Sequence, residues 1–275
     1  MHHLMALLRS QLSYVIVVTA IASSLAAQDP VKGWTTQQHT HALVLTKVQD
    51  GPAGSAIVSL TNVSGKLITA VAISSPPSTL TVRHFFDYLD QTAAGLPNGA
   101  ALDLRISPEE VASNTHRLLD IDAVVFSDGT ADGLQAAVAF IDAKRLGRVL
   151  ETERIANLLS HIPEPPDLDA LITGIGALPE GIEAALTSLK SIDTPSVALA
   201  DLNGPYGADN ERAFLSGVRH AREEAQWKAQ KLKELYLSPE PHETLAAALH
   251  TLTQAYFEKT RIYHAQKHLL GRLPR

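Results

Sequence analysis

The chain has 275 residues, 45% of them hydrophobic but only 5% aromatic, with a formal net charge of −6 and no cysteine. That length suits one large domain or two small ones, and the apolar fraction supports a core built from Leu, Val, Ile and Ala rather than from rings. The lack of cysteine excludes disulfides, Cys-ligated zinc, iron–sulfur clusters, a thiol nucleophile and a lipoprotein cysteine, while an acidic balance without a long basic run argues against a general nucleic-acid-binding surface.

Residues 1–27 have the composition of an export signal. Arg9 is the only basic Lys or Arg before Lys32, the apolar run Tyr14–Ala22 follows, and small residues lead to Ala26 and Ala27. A basic start, a short apolar centre and a small-residue exit describe a secretory signal peptide cleaved after Ala27 or Ala26. The alternative is an uncleaved anchor, because Ser10 to Gln28 is a stretch of 19 uncharged residues, just long enough to span a bilayer.

From 31 to 130 the chain reads as short strands separated by turn residues. The expected strands are 41–48, 55–61, 66–73, 80–88, 101–106 and 118–126. Gly51-Pro-Ala-Gly54, Asn62-Val-Ser-Gly65 and Ser75-Pro-Pro-Ser78 punctuate them. Asn62-Val-Ser64 fits a glycosylation sequon but reads as turn chemistry. Turn signals every ten or so residues over about 90 residues favour an antiparallel sandwich or open barrel.

In the last strand, period two puts Leu119, Ile121, Ala123 and Val125 on one side and Val124 and Phe126 on the other, with Asp120 and Asp122 further back. Apolar residues on both sides suggest a strand covered on both faces, or covered at one end by the next element. Ser127-Asp-Gly-Thr130 is a turn, after which Thr130 or Asp132 can cap a helix that starts near Gly133. Asp128, Thr130, Asp132 and Gly133 imitate the start of a calcium loop. Ala139, however, stands where a bidentate Glu is required, so a turn is the plainer reading.

Ile57-Val-Ser-Leu-Thr-Asn-Val-Ser-Gly-Lys-Leu-Ile-Thr-Ala-Val71 resembles the second-and-third-strand pattern of small bacterial immunoglobulin-like extracellular domains. Together with Ala123-Val-Val-Phe-Ser-Asp-Gly-Thr-Ala-Asp-Gly133, it resembles uncharacterised exported bacterial proteins that carry such a domain before a helical region. The likeness covers roughly 45–135 and implies a fold. It brings no catalytic, cofactor or metal residues.

Residues 131–275 read as helices. Leu134, Val138, Ile141, Val149, Ile155 and Leu159 mark the first, which Pro163-Glu-Pro-Pro166 stops. Leu168, Leu171, Ile175, Leu178, Ile182, Leu186 and Leu189 mark two short ones, broken at Gly174–Gly181. Thr194 to Gly207 is a loop. Phe214, Val218, Ala221, Ala225, Ala229, Leu232 and Tyr236 form the next stripe, and its small Ala centre permits close approach of another helix. After Ser238-Pro-Glu-Pro-His242, Leu245, Leu249, Leu252, Tyr256, Tyr263 and Leu270 form the last. The two long segments make an αα-hairpin.

Chemical motifs are sparse. His264 and His268 lie four apart on a helix, with His250 on about the same flank, but the Glu of a His-Glu-x-x-His protease and a third ligand are missing. His39 and His41 alternate on a strand. Asp120 with Asp122, and Glu109 with Glu110, are adjacent carboxylates best read as solvated. Ser216 lacks the preceding Gly of a nucleophile elbow, and no phosphate or dinucleotide glycine loop occurs.

The expectation is therefore an α+β chain of segregated parts: signal peptide 1–27, an antiparallel immunoglobulin-like sandwich over 31–130 and an all-α domain over 131–275. Catalytic, cofactor and metal residues are none. The expected role is a non-catalytic periplasmic or secreted protein that contacts another envelope protein and binds neither nucleic acid nor membrane after cleavage. The rival is a hydrolase or metal-dependent enzyme with its site between the domains, using His84, Asp128 or His220.

Overall fold

A computed structural model of the chain describes residues 33–74, 84–88, 95–114, 117–163, 166–179, 207–237 and 244–265. The expected signal segment, the stripe positions Ile182, Leu186, Leu189 and Leu270, nearly all of the 194–207 loop, and the 238–242 turn lie outside them. The described residues form an α+β chain, strands first and the long helices after, with one six-residue helix among the strands. They divide into two compact units at Val138/Ala139.

The first unit contains β1 (Thr35–Gln38), β2 (Leu43–Asp50), β3 (Ala56–Asn62), β4 (Ile68–Ser74), β5 (His84–Asp87), β6 (Ala101–Ile106), β7 (Leu118–Phe126) and β8 (Ala131–Gly133). One sheet runs β2-β3-β6; the other runs β1-β7-β4-β5, with β8 also on β7. The six expected strands are present, the one expected at 80–88 being described only from His84, since residues 80–83 lie outside the described ones. Two were not foreseen, and one of them changes the description: β1 pairs with β7 in parallel, Thr35 opposite Leu118 through Gln38 opposite Ile121. Thr-Thr-Gln-Gln carries no apolar alternation, so it left no strand signal. A six-residue helix, α1 (Pro108–Ser113), was also missed; the Ser107 hydroxyl caps it by accepting from the Glu110 N–H.

Both sheets contribute to one core. Leu43, Leu45, Val48, Val58, Leu60, Leu102, Leu104 and Ile106 come from one sheet, and Ile68, Val71, Ile73, Leu119, Ile121, Val124 and Phe126 from the other. The period-two expectation for β7 fails within this set, because Ile121 and Val124 both face inward. The cause is a bulge. Ile73 pairs with Ile121 and Ala72 with Ala123, so Asp122 has no partner of its own in the ladder. One extra residue inverts the alternation beyond it.

β7 does not run directly into the long helix. Gly129 turns the chain at φ 83°, and β8 returns along β7. Asp132 therefore caps no helix. Its carboxylate accepts from the Thr40 hydroxyl at 2.6 Å and the His41 N–H at 3.2 Å. Gly133 closes the turn at φ 121°, where a Cβ would lie 2.2 Å from the Asp122 carbonyl oxygen. Only glycine fits that approach. Because β8 belongs to the sheet, the first unit continues past Thr130 to Val138.

The second unit contains most of α2 (Gln135–Ser160), α3 (Leu168–Gly176), α4 (Gly207–Tyr236) and α5 (Leu245–Ala265). The Asp167 carboxylate caps α3 by accepting from the N–H groups of Asp169 and Ala170. Helix α2 is buried around its whole circumference over most of its length, so it has no single apolar stripe. It crosses α4 with backbones in contact. A Cβ on Gly147 would lie 2.1 Å from the Phe214 carbonyl oxygen, and one on Gly217 2.0 Å from that of Lys144. Ala143, Leu146, Leu150, Ala213, Phe214 and Val218 pack around this crossing. Glu224 meets Lys259 while Lys228 meets Tyr256, so α4 and α5 run antiparallel as expected.

Candidate functional site

The charged residues of α2 build the most unusual site. Asp142, Arg145, Arg148, Glu151 and Arg154 are all buried, as are Arg222 of α4 and Lys259 of α5. Buried ions persist only when paired and hydrogen-bonded. Glu151, fully buried, accepts from Arg222 Nε at 2.9 Å on one oxygen and from Arg154 at 2.8 Å on the other. Arg154 also donates to the Pro179 carbonyl at 3.2 Å. The i,i+3 spacing of Glu151 and Arg154 places both on one face of α2.

One turn earlier, Arg148 reaches Glu224 at 3.1 Å. Glu224 also holds Lys228 at 2.7 Å and Lys259 at 2.8 Å. Burial alone would raise this carboxyl, but Lys259 and Lys228 overcome it and bring it down to about 2. Burial lowers His220 below the ordinary imidazole value, and Arg148, Lys144 and Lys259 lower it further against the opposing pull of Glu224. The potential at that ring is therefore positive on balance. Lys228 Nζ lies 5.2 Å over the Tyr256 ring. The Tyr256 hydroxyl is buried without a hydrogen-bond partner among the described residues, as is that of Thr152, one turn beyond Arg148.

A second group of ionisable residues lies on β7. The sequence reads Asp120 and Asp122 as solvated, and for Asp122 this is wrong: it is buried, and burial pushes it up to about 6 although the Ser74 hydroxyl donates to it. Burial raises Asp120 as well, partly offset by His39. Glu109 and Glu110 diverge. Glu109 is exposed, whereas Glu110 meets His84 at 2.9 Å.

Within the first unit the remaining sequence candidates do not converge. His39 and His41 lie in the link between β1 and β2 rather than on a strand, and His41 is exposed. The side chain of His264 and all of His268 lie outside the described residues, and His250 is exposed on α5. Ser216 is half-buried on α4 beside Gly217. Asp128 holds Lys66 at 2.8 Å and accepts from Thr130 within its own turn. His84 sits opposite Ile73 and Phe126 opposite Ile68, so His84 and Asp128 occupy opposite ends of β4, roughly 15 Å apart at ~3.3 Å per residue. His220 belongs to the other unit. Among the described residues no group of three or more His, Asp or Glu could hold a metal ion, and no helix is long and apolar enough to cross a membrane.

The sequon is occupied by its own turn. Asn62 is fully buried, donating to the carbonyls of Lys66 and Leu96 and accepting from the Ser64 N–H and hydroxyl. Comparison with known proteins finds no matching family, curated protein or solved structure.

Sequence reasoning missed the α2 cluster for a definite reason. The charges look like the solvated face of an amphipathic helix, and only burial on all sides makes them partners. Alternation of apolar and charged residues without a clean stripe, as in Ala143-Lys-Arg-Leu-Gly-Arg-Val-Leu-Glu-Thr-Glu-Arg154, was the available signal.

Proposed function

We propose that the chain is an exported, non-catalytic protein of the bacterial envelope that works by protein–protein contact, with an immunoglobulin-like sandwich as its binding module. The supporting observation is the strand order. Labelling β2 to β8 as A, B, C, C′, E, F and G makes one sheet A-B-E and the other C′-C-F-G, with β1 added beside the F strand. Hairpins join A to B, C to C′ and F to G, while B–E and C–F pairs link the halves, a Greek-key arrangement of the immunoglobulin type.

The β2-β3-β6 sheet offers the surface for such contact. Its outer face carries the rows Val44-Thr61-Ala101, Lys47-Ser59-Asp103 and Gln49-Ile57-Arg105. Lys47, Gln49, Asp103 and Arg105 are exposed. Ser59 donates to Asp103 at 2.6 Å, and Thr46 bonds Thr61 at 2.9 Å, which fixes the face without covering it.

The test is fractionation of the native host followed by crosslinking in situ. A discrete crosslinked species in the envelope fraction, lost in Lys47→Glu/Arg105→Glu while the thermal midpoint is unchanged, supports the reading. A cytoplasmic protein, or stoichiometric zinc with turnover of hydrolase substrates, overturns it.

A further inference from the structure

We propose that the helical unit binds a small oxyanion, a carboxylate or phosphate group, between the Tyr256 hydroxyl and the ammonium of Lys228, beside the Glu224 cluster. Tyr256 is 2% exposed, and its hydroxyl has no hydrogen-bond partner among the described residues. A buried phenol normally finds one. Here it remains a donor, because burial and the neighbouring Glu224 both hold it protonated. The missing group is therefore an acceptor.

The surroundings decide what kind of acceptor fits. Lys228 Nζ stands over the ring of Tyr256 and gives one of its three N–H donors to Glu224 at 2.7 Å. Arg148 and Lys259 hold the other Glu224 oxygen at 3.1 and 2.8 Å. Three cationic groups thus meet around a single carboxylate next to the unsatisfied phenol. Such a field favours an anion over a neutral molecule at the same place. The partners that Arg148 and Lys259 have elsewhere do not alter this, since the site needs only their charge.

Two further observations agree. Thr152, fully buried, carries a second hydroxyl without a partner among the described residues, on the face of α2 from which Arg148 extends. The charged rim also meets solvent, because Glu224 and Lys228 each keep 22% of their side chain exposed.

The experiment uses the full chain. Formate, acetate and phosphate, each against chloride at matched ionic strength, are titrated by calorimetry and by thermal midpoint. The expected result is saturable binding of at least one oxyanion, weakened about tenfold or more in Tyr256→Phe, which keeps the ring and removes only the hydroxyl. Lys228→Met is the second variant and loses the same binding. Whether formate and acetate or phosphate binds more tightly assigns the group. Absence of saturable binding in the wild type overturns the proposal, as does a Tyr256→Phe protein that binds like the wild type. Either outcome would leave a water molecule as the partner of the phenol.

Discussion

The two units solve the same problem with opposite materials. The core of the first is apolar, with Leu43, Leu60, Ile68, Ile73, Leu104 and Ile121 essentially inaccessible to water. The core of the second is crossed by Glu151 between Arg154 and Arg222 and by Glu224 among Arg148, Lys228 and Lys259. An apolar core tolerates any element that presents the right area, because burial is not directional. A charged core accepts only the arrangement in which every ion meets its partner. The contrast shows why the first unit follows from a strand pattern and the second does not follow from a helix pattern.

The contrast is tested most severely at Glu151. Glu151→Gln leaves Arg154 and Arg222 buried without a counter-charge and should cost about 3–5 kcal/mol, read as a loss of the helical transition in chemical denaturation with the sandwich transition unmoved. A loss under about 1 kcal/mol would mean that the two guanidinium groups find other partners and that the charges do not organise this core. Gly217→Ala addresses the backbone contact beneath those charges. A methyl group there forces α2 from α4, and a destabilisation of about 1–3 kcal/mol or more is expected, again confined to the helical unit.

Acid should separate the units by sign. Asp122 is raised in the folded state, so its contribution is complete below the unfolded carboxyl value of 3.8 and is lost as pH rises through about 6. Glu224 is lowered, so its contribution is present above 4.5 and is lost as pH falls toward about 2. Asp122→Asn is expected to stabilise the sandwich at pH 8 by about 1–2 kcal/mol and to leave it unchanged at pH 4, followed by thermal midpoint across that range. Equal effects at both pH values would show that burial does not raise Asp122. The smallest expected effect is Asp132→Ala, which removes the acceptor for Thr40 and His41 and should cost about 1 kcal/mol.

Much of the first unit was legible. The turn at Asn62-Val-Ser-Gly65 was readable because Asn and Ser bond their own backbone there. β1 was not, since a polar strand is recruited by its neighbour's open edge and has no pattern of its own. The inverted face of β7 was hidden because a bulge moves one residue without altering composition. In the second unit, the Ala221–Ala225–Ala229 stripe is a buried face of α4, as its spacing announced. The crossing itself depends on Gly147 and Gly217, which carry no side chain for a periodicity to record.

The order of amino acids by itself determined that a strand-rich part precedes a helix-rich one, where several turns close, and which helix faces are small or apolar, because those properties depend on neighbours a few residues apart. Tertiary structure alone decided that Asp122 is withdrawn from water, that Glu151 serves Arg222 as well as its helical neighbour Arg154, and that the Tyr256 hydroxyl has no partner among the described residues. Each of these is a fact about burial, and the Glu151–Arg222 pair joins groups 71 residues apart in sequence. Charge meets countercharge there only after the chain has closed around both.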